Sequence, residues 1–149
     1  TTFETFPFPY PPGKEQQDSP IVQATIARWA QALVQWRDAW LNRPPPPAGV
    51  IDVTYKKMLN SRTLTNLYNG LEYYRATVKA GQLFSQSEFE KVTRKSVNRS
   101  QIEELADIHT ALDRAVLDAY GWPHTLTDEQ ILENLLTLNL QRAAQESST

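Results

Sequence analysis

Apolar residues recur at helical spacing in four stretches of the chain. Val22, Ile26, Trp29, Leu33, Trp36 and Trp40 advance by steps of 4, 3, 4, 3 and 4. That spacing lays them along one side of a helix for about three heptads. Ser19 as N-cap and Pro20 at the first helical position set its start, so the pattern predicts a helix over 20–41. Leu64, Leu67, Tyr68, Leu71, Tyr74 and Val78 share a face of a second helix over 62–79. Gly70 interrupts it and is ~1 kcal/mol worse than alanine there, which predicts a kink or a break. Ile102, Leu105, Ile108, Leu112, Val116 and Ala119 mark a third helix over 100–120, with Ser100 as N-cap and Glu103 closing a capping box. Gly121 stops it. Ile131, Leu132, Leu135, Leu136, Leu138 and Leu140 give a fourth helix, over 128–144, a broad apolar face. Thr127 and Gln130 form its capping box, and the breadth of that face predicts a central position, with residues 145–149 frayed.

The remaining segments read differently. Residues 1–19 alternate aromatics and prolines, Phe3-Glu4-Thr5-Phe6-Pro7-Phe8-Pro9-Tyr10-Pro11-Pro12. Proline fixes its own φ and biases the preceding residue to extended backbone. The expectation is a strap packed over the helices; the alternative is a proline-rich ligand for a partner. Pro44 to Pro47 make a stiff spacer, and residues 50–55 alternate β-branched side chains as a short extended piece would. Residues 81–99 form a polar insertion expected to be mobile, with a short helix possible over Ser87 to Val92. The fold expected is therefore all-α, a bundle of about four main helices with an extended Pro/aromatic N-terminal arm. Trp29, Trp36, Leu105, Leu112, Val116, Leu135 and Leu138 are its expected core, and Tyr120 and Trp122 should pack near the start of the fourth helix.

Composition narrows the function. The chain has 149 residues, 40% hydrophobic and 21% charged, enough for one domain with a core. It has no cysteine, which excludes disulfides and cysteine-ligated metals. His109 and His124 are the two histidines, too few for a histidine-rich metal site. No apolar run approaches the ~18 residues of a membrane span, and no signal peptide is recognisable at Thr1. A cytoplasmic chain with no membrane partner is expected. The start Thr1-Thr2-Phe3, without methionine, reads as a piece of a longer chain or a processed product.

Charge is uneven. Between Val53 and Arg99 the chain carries nine basic residues, Lys56, Lys57, Arg62, Arg75, Lys79, Lys91, Arg94, Lys95 and Arg99, against three acidic ones, a balance of +6. The rest of the chain balances to -8. A basic middle in an acidic chain points towards a polyanion, and these nine are the candidate contacts to a DNA backbone; a solvated charged face would look the same.

Catalytic chemistry finds no footing. Five scattered glycines build neither a P-loop nor a Gly-x-Gly-x-x-Gly turn. Pro9-Tyr10-Pro11-Pro12 lacks the order that amino-methyltransferases use, an acidic or Asn residue, then Pro-Pro, then an aromatic. His109 and Asp113 are spaced to hydrogen-bond on one helix, but no nucleophile accompanies them. Asp113 and Asp118, five apart, do not share a face well. No catalytic, cofactor-binding or metal residue is assigned.

Two runs in the last third carry a resemblance. Leu112-Asp113-Arg114-Ala115-Val116-Leu117-Asp118-Ala119-Tyr120-Gly121-Trp122 is followed by Leu135-Leu136-Thr137-Leu138-Asn139-Leu140-Gln141-Arg142. They resemble the C-terminal tail of large bacterial DNA methyltransferases, above all the MmeI-like (type IIL) restriction–modification enzymes. Their tails likewise show Leu-Asp-x-Ala-Val, Ala-Tyr-Gly-Trp and Leu-x-x-Leu-Asn-x-x-Arg patterns. Phe3 to Pro9 is similar to the junction after their target-recognition domain, and Leu64-Thr65-Asn66-Leu67-Tyr68-Asn69 to their Leu-Thr-x-Leu-Tyr-Asn segment. From Gly70 to Ser100 the chain departs from them.

The resemblance implies a non-catalytic C-terminal helical domain of an S-adenosylmethionine-dependent DNA methyltransferase of adenine-N6 type, packed beside the methyltransferase and target-recognition domains and supporting DNA binding. No cofactor is implied for this segment itself. A reading of another class is a free-standing helical module that docks a protein partner through its Phe/Pro arm. The chain by itself is expected neither to methylate nor to cut DNA; transfer of labelled methyl from S-adenosylmethionine to DNA by this segment alone would refute that.

Overall fold

A computed structural model describes Pro9, residues 20–42 and residues 53–147. The arm of residues 1–19 apart from Pro9, the N-cap at Ser19, the proline spacer and residues 50–52 lie outside the described residues. Six α-helices follow in order: α1 Pro20–Leu41, α2 Val53–Ser61, α3 Leu64–Tyr74, α4 Gln86–Thr93, α5 Arg99–Tyr120 and α6 Asp128–Ser147. A π-helical turn, Arg75–Lys79, extends α3, and no strand occurs among the described residues. The fold is all-helical, with more helices than the four expected. Two compact units divide the chain, one of Trp29–Ala111 and one that joins the residues up to Arg28 to those from Leu112 onward.

The helix expected over 62–79 is α3 with the π turn, and α2 is an additional helix separated from it by Arg62 and Thr63. Thr63 explains the break: its backbone is extended and its side chain accepts from the Asn66 N–H at 3.1 Å, capping α3. Asn66 adds a bond from its amide to the Ser61 carbonyl at 2.7 Å, which satisfies the end of α2. Residues 53–55 are helical rather than extended, since β-branching is only a weak brake on helix. Gly70 neither kinks nor breaks α3. A Cβ there would lie 2.7 Å from the Thr93 methyl and 3.2 Å from Ile102 Cδ1, so glycine is needed for close packing.

The Trp29–Ala111 unit has its core where α3 meets α4 and α5. Leu67, Leu71, Phe89, Ile102 and Leu105 are almost wholly buried, with Leu33 and Trp40 of α1 beside them in burial. On α1, Leu33 and Trp40 take the inward line; Trp29 and Trp36 are only half-buried. Trp36 keeps its indole N–H near the surface, where it donates to Glu104 Oε2 at 3.1 Å. The indole N–H of buried Trp40 has no hydrogen-bond partner among the described residues. The segment read as a mobile polar insertion is knitted into this core. Phe89, Thr93, Ser96 and Val97 are buried, and Tyr73, Phe84 and Phe89 form an aromatic cluster with centroids 5.2–6.2 Å apart. Tyr73 clamps the loop before α4: its hydroxyl accepts from the Ser85 N–H at 3.0 Å.

α5 starts one residue before the expected Ser100. Asn98 is its cap, accepting from the Gln101 N–H at 2.8 Å while Gln101 Oε1 takes the Asn98 N–H at 3.1 Å. Glu103 instead pairs with Arg99 at 2.9 Å. In the other unit Ala115 is buried, Leu112 is half-buried and Val116 is 37% exposed. The small alanine takes the inward place that the sequence assigns to valine. Gly121 ends α5 with φ +71, and Tyr120 stacks on Trp122 at 4.4 Å. Trp122 lines a hollow with Asn134, Thr137 and Leu138, at the middle of α6 rather than its start. The box of Thr127 and Gln130 forms as expected, at 2.9 and 3.2 Å. α6 has no fully buried residue, so it is not central. It has apolar residues on two sides, and Leu135 and Leu138 are half-buried while Leu132, Leu136 and Leu140 are exposed. The helix continues to Ser147.

Phe89→Ala should cost about 3–5 kcal/mol in urea unfolding, whereas Leu136→Ala should change stability by less than about 0.5 kcal/mol. Gly70→Ala should destabilise by about 1–2 kcal/mol net. Overpacking against the fully buried Thr93 outweighs the ~1 kcal/mol that alanine contributes by helix propensity.

Candidate functional site

The nine basic residues do not gather on one face. Five have intramolecular partners. Arg62 donates to the Trp40 carbonyl and its guanidinium lies 5.3 Å from the Trp40 ring centroid. Trp40 is 4% exposed, so Arg62 serves the fold. Lys79 reaches Thr110 Oγ1 at 3.5 Å, Lys91 pairs with Glu88 at 2.9 Å and Lys95 with Glu90 at 3.9 Å. Arg99 pairs with Glu103 and lies 4.7 Å over the Phe84 ring. Lys56 and Lys57 are exposed on α2.

Three cations converge. An open groove of about 1030 Å³ runs along α3 and past the C-terminal end of α4, and Arg75, Lys91 and Arg94 line it together with Asn69, Glu72 and Tyr73. Arg75 and Arg94 have no ion-pair or hydrogen-bond partner for their side chains among the described residues. Arg62 and Lys95 line a separate hollow with Met58, Glu90 and Gln101.

Backbone strain places these cations. Arg94 and Lys95 have φ of 52° and 58°, the left-handed region. An L-residue there costs about 1–2 kcal/mol. The turn is held by the Arg94 N–H on the Lys91 carbonyl, the Lys95 N–H on the Glu90 carbonyl at 3.1 Å and Ser96 Oγ on the Thr93 carbonyl at 2.6 Å. Two successive left-handed residues send neighbouring side chains apart, Arg94 to the groove and Lys95 to the other hollow. Cations also suit the negative end of the α4 dipole.

The groove's polar wall was not singled out from the sequence. Thr65, Asn69, Glu72 and Ala76 step along the exposed side of α3 and the π turn at intervals of 4, 3 and 4. The signal existed as the complement of the apolar stripe, but it is what any solvated helix face looks like.

The histidines have other occupations. His109 Nε2 lies 2.8 Å from the Tyr68 hydroxyl, to which Arg37 donates at 3.3 Å; the chain of three ties α1, α3 and α5. His124 Nε2 lies 2.6 Å from Asp118 Oδ1 across the turn after α5. No group of three or more His, Asp or Glu side chains among the described residues is placed to hold a metal ion, and no described helix is long and apolar enough to cross a membrane. In comparisons with protein-family profiles, curated proteins and solved structures, nothing matches the chain.

Arg62→Ala should lower stability by about 2 kcal/mol, because a charged hydrogen bond to a buried helix end is lost. Arg94→Gly should raise it by about 1 kcal/mol by relieving the left-handed strain. Thermal unfolding of the two variants beside the parent chain checks both signs.

Proposed function

We propose that the chain is the non-catalytic helical C-terminal domain of an S-adenosylmethionine-dependent DNA methyltransferase, adenine-N6-specific and part of a restriction–modification system, and that it holds DNA by the backbone. The resemblance of its motifs supplies the family. The groove of Arg75, Lys91 and Arg94 carries the role. Guanidinium groups form bidentate hydrogen bonds with phosphate oxygens, and a three-cation groove can track a strand without reading it. In this reading the cofactor and the reacting base belong to the other domains of the parent chain, its partners here.

A second reading, a module that docks a protein, draws on the exposed Leu132, Leu136 and Leu140 of α6, 60–66% accessible.

Each phosphate contact contributes roughly 0.9 to the logarithmic salt dependence of duplex binding. In the complete enzyme, replacing Arg75, Lys91 and Arg94 by alanine should flatten that slope by about 2–3 and weaken binding to all sequences alike. Lys95→Ala, in the separate hollow, should change it little. An unchanged slope in the triple variant overturns the reading.

A further inference from the structure

The groove holds a group that backbone contact does not explain. Glu72 lies among Arg75, Lys91 and Arg94, is exposed, and makes no ion pair or hydrogen bond with a described residue. A carboxylate repels phosphates, so a surface shaped only for the backbone would bind better without it. One helical turn before it stands Asn69, also exposed and with its amide unpaired among the described residues. Thr65 and Ala76 flank the pair on the same stripe, four residues from Asn69 and from Glu72 respectively. These flanking side chains are short, so nothing bulky holds a ligand away from the wall.

We propose that Asn69 and Glu72 read base edges of duplex DNA while Arg75, Lys91 and Arg94 hold its phosphates. The inference rests on the DNA-binding reading above and deepens it. An asparagine amide presents a donor and an acceptor side by side and matches N6 and N7 of adenine in the major groove; a carboxylate accepts from the N4 amino group of cytosine. α3 carries both on one face, and a helix with its side chains is about as wide as the major groove. The cations that share the groove supply the sequence-independent attraction and fix the register in which the two side chains meet the bases.

The test uses the complete enzyme and a pool of duplexes with randomised positions, sequencing the bound fraction. The variants are Asn69→Ala, Glu72→Gln, and Arg75→Ala with Lys91→Ala and Arg94→Ala together. Asn69→Ala and Glu72→Gln should each relax the base preference at one position, by roughly 5- to 150-fold, and leave binding to the remaining positions unaltered. The triple variant should weaken all sequences equally. If Glu72→Gln binds every sequence more tightly with preferences intact, or if neither single variant shifts a preference, base reading is overturned while backbone contact stands. If the unaltered enzyme shows no preference in the pool, base reading is overturned as well. If the triple variant leaves affinity and salt slope unchanged, the DNA-binding reading itself fails. Both single sites are exposed on a helix; melting curves matching the parent's show that the variants fold.

Discussion

Where α3 meets α4 and α5, room for a single methyl group decides the packing. Thr93 and Ile102 press against Gly70 so closely that any side chain there would collide with them. Leu67 lies about one turn before this point and Leu71 directly after it, and Leu67, Leu71, Thr93 and Ile102 are all nearly inaccessible to water. The rest of the unit is arranged around that contact. Thr93 secures itself by donating to the Phe89 carbonyl at 2.7 Å, so its hydroxyl is satisfied inside the core while its methyl meets the glycine. A buried hydroxyl without that bond would be costly. α4 is only eight residues long and would be marginal alone; its packing through Phe89 and Thr93 holds it in place.

The same packing determines what the surface offers. Because α4 ends against α3, its strained terminal turn overhangs the exposed side of α3, and Arg94 joins Arg75 and Lys91 around one groove. Glycine would suit the left-handed positions better. Arg94 and Lys95 there cost stability that the packing of the turn offsets. The basic middle of the chain thus divides by task. Arg62 and Arg99 lie over aromatic rings, while Arg75 and Arg94 line the groove.

Burial separates the two units in character. In the Trp29–Ala111 unit the large apolar side chains Phe89, Leu67 and Ile102 are fully enclosed. In the other unit Ala115 is enclosed, and α6 shows leucines to solvent. Exposed leucines at intervals of four, Leu132, Leu136 and Leu140, form a continuous apolar strip on one side of the helix. A count of leucines would have placed α6 at the centre of the fold, yet leucine on both sides of a helix is also what a peripheral helix shows when one side packs and the other does not.

The sequence alone determined that the chain is helical, where α1, α5 and α6 run to within a few residues, and that Thr127 and Gln130 cap α6. These follow from local spacing and local hydrogen bonding, which neighbouring residues settle among themselves. It also located the positive charge between Val53 and Arg99. Tertiary structure alone decided the rest. Whether Gly70 breaks a helix or admits a neighbour depends on Thr93, 23 positions away. Which tryptophan of α1 turns inward is also set by packing: Trp40 is buried, while half-buried Trp36 donates its indole N–H to Glu104. Which of the nine cations face a groove and which face a ring or a carboxylate depends on which elements pack beside each of them. Composition records how much charge a segment carries, but only packing fixes what each charge meets.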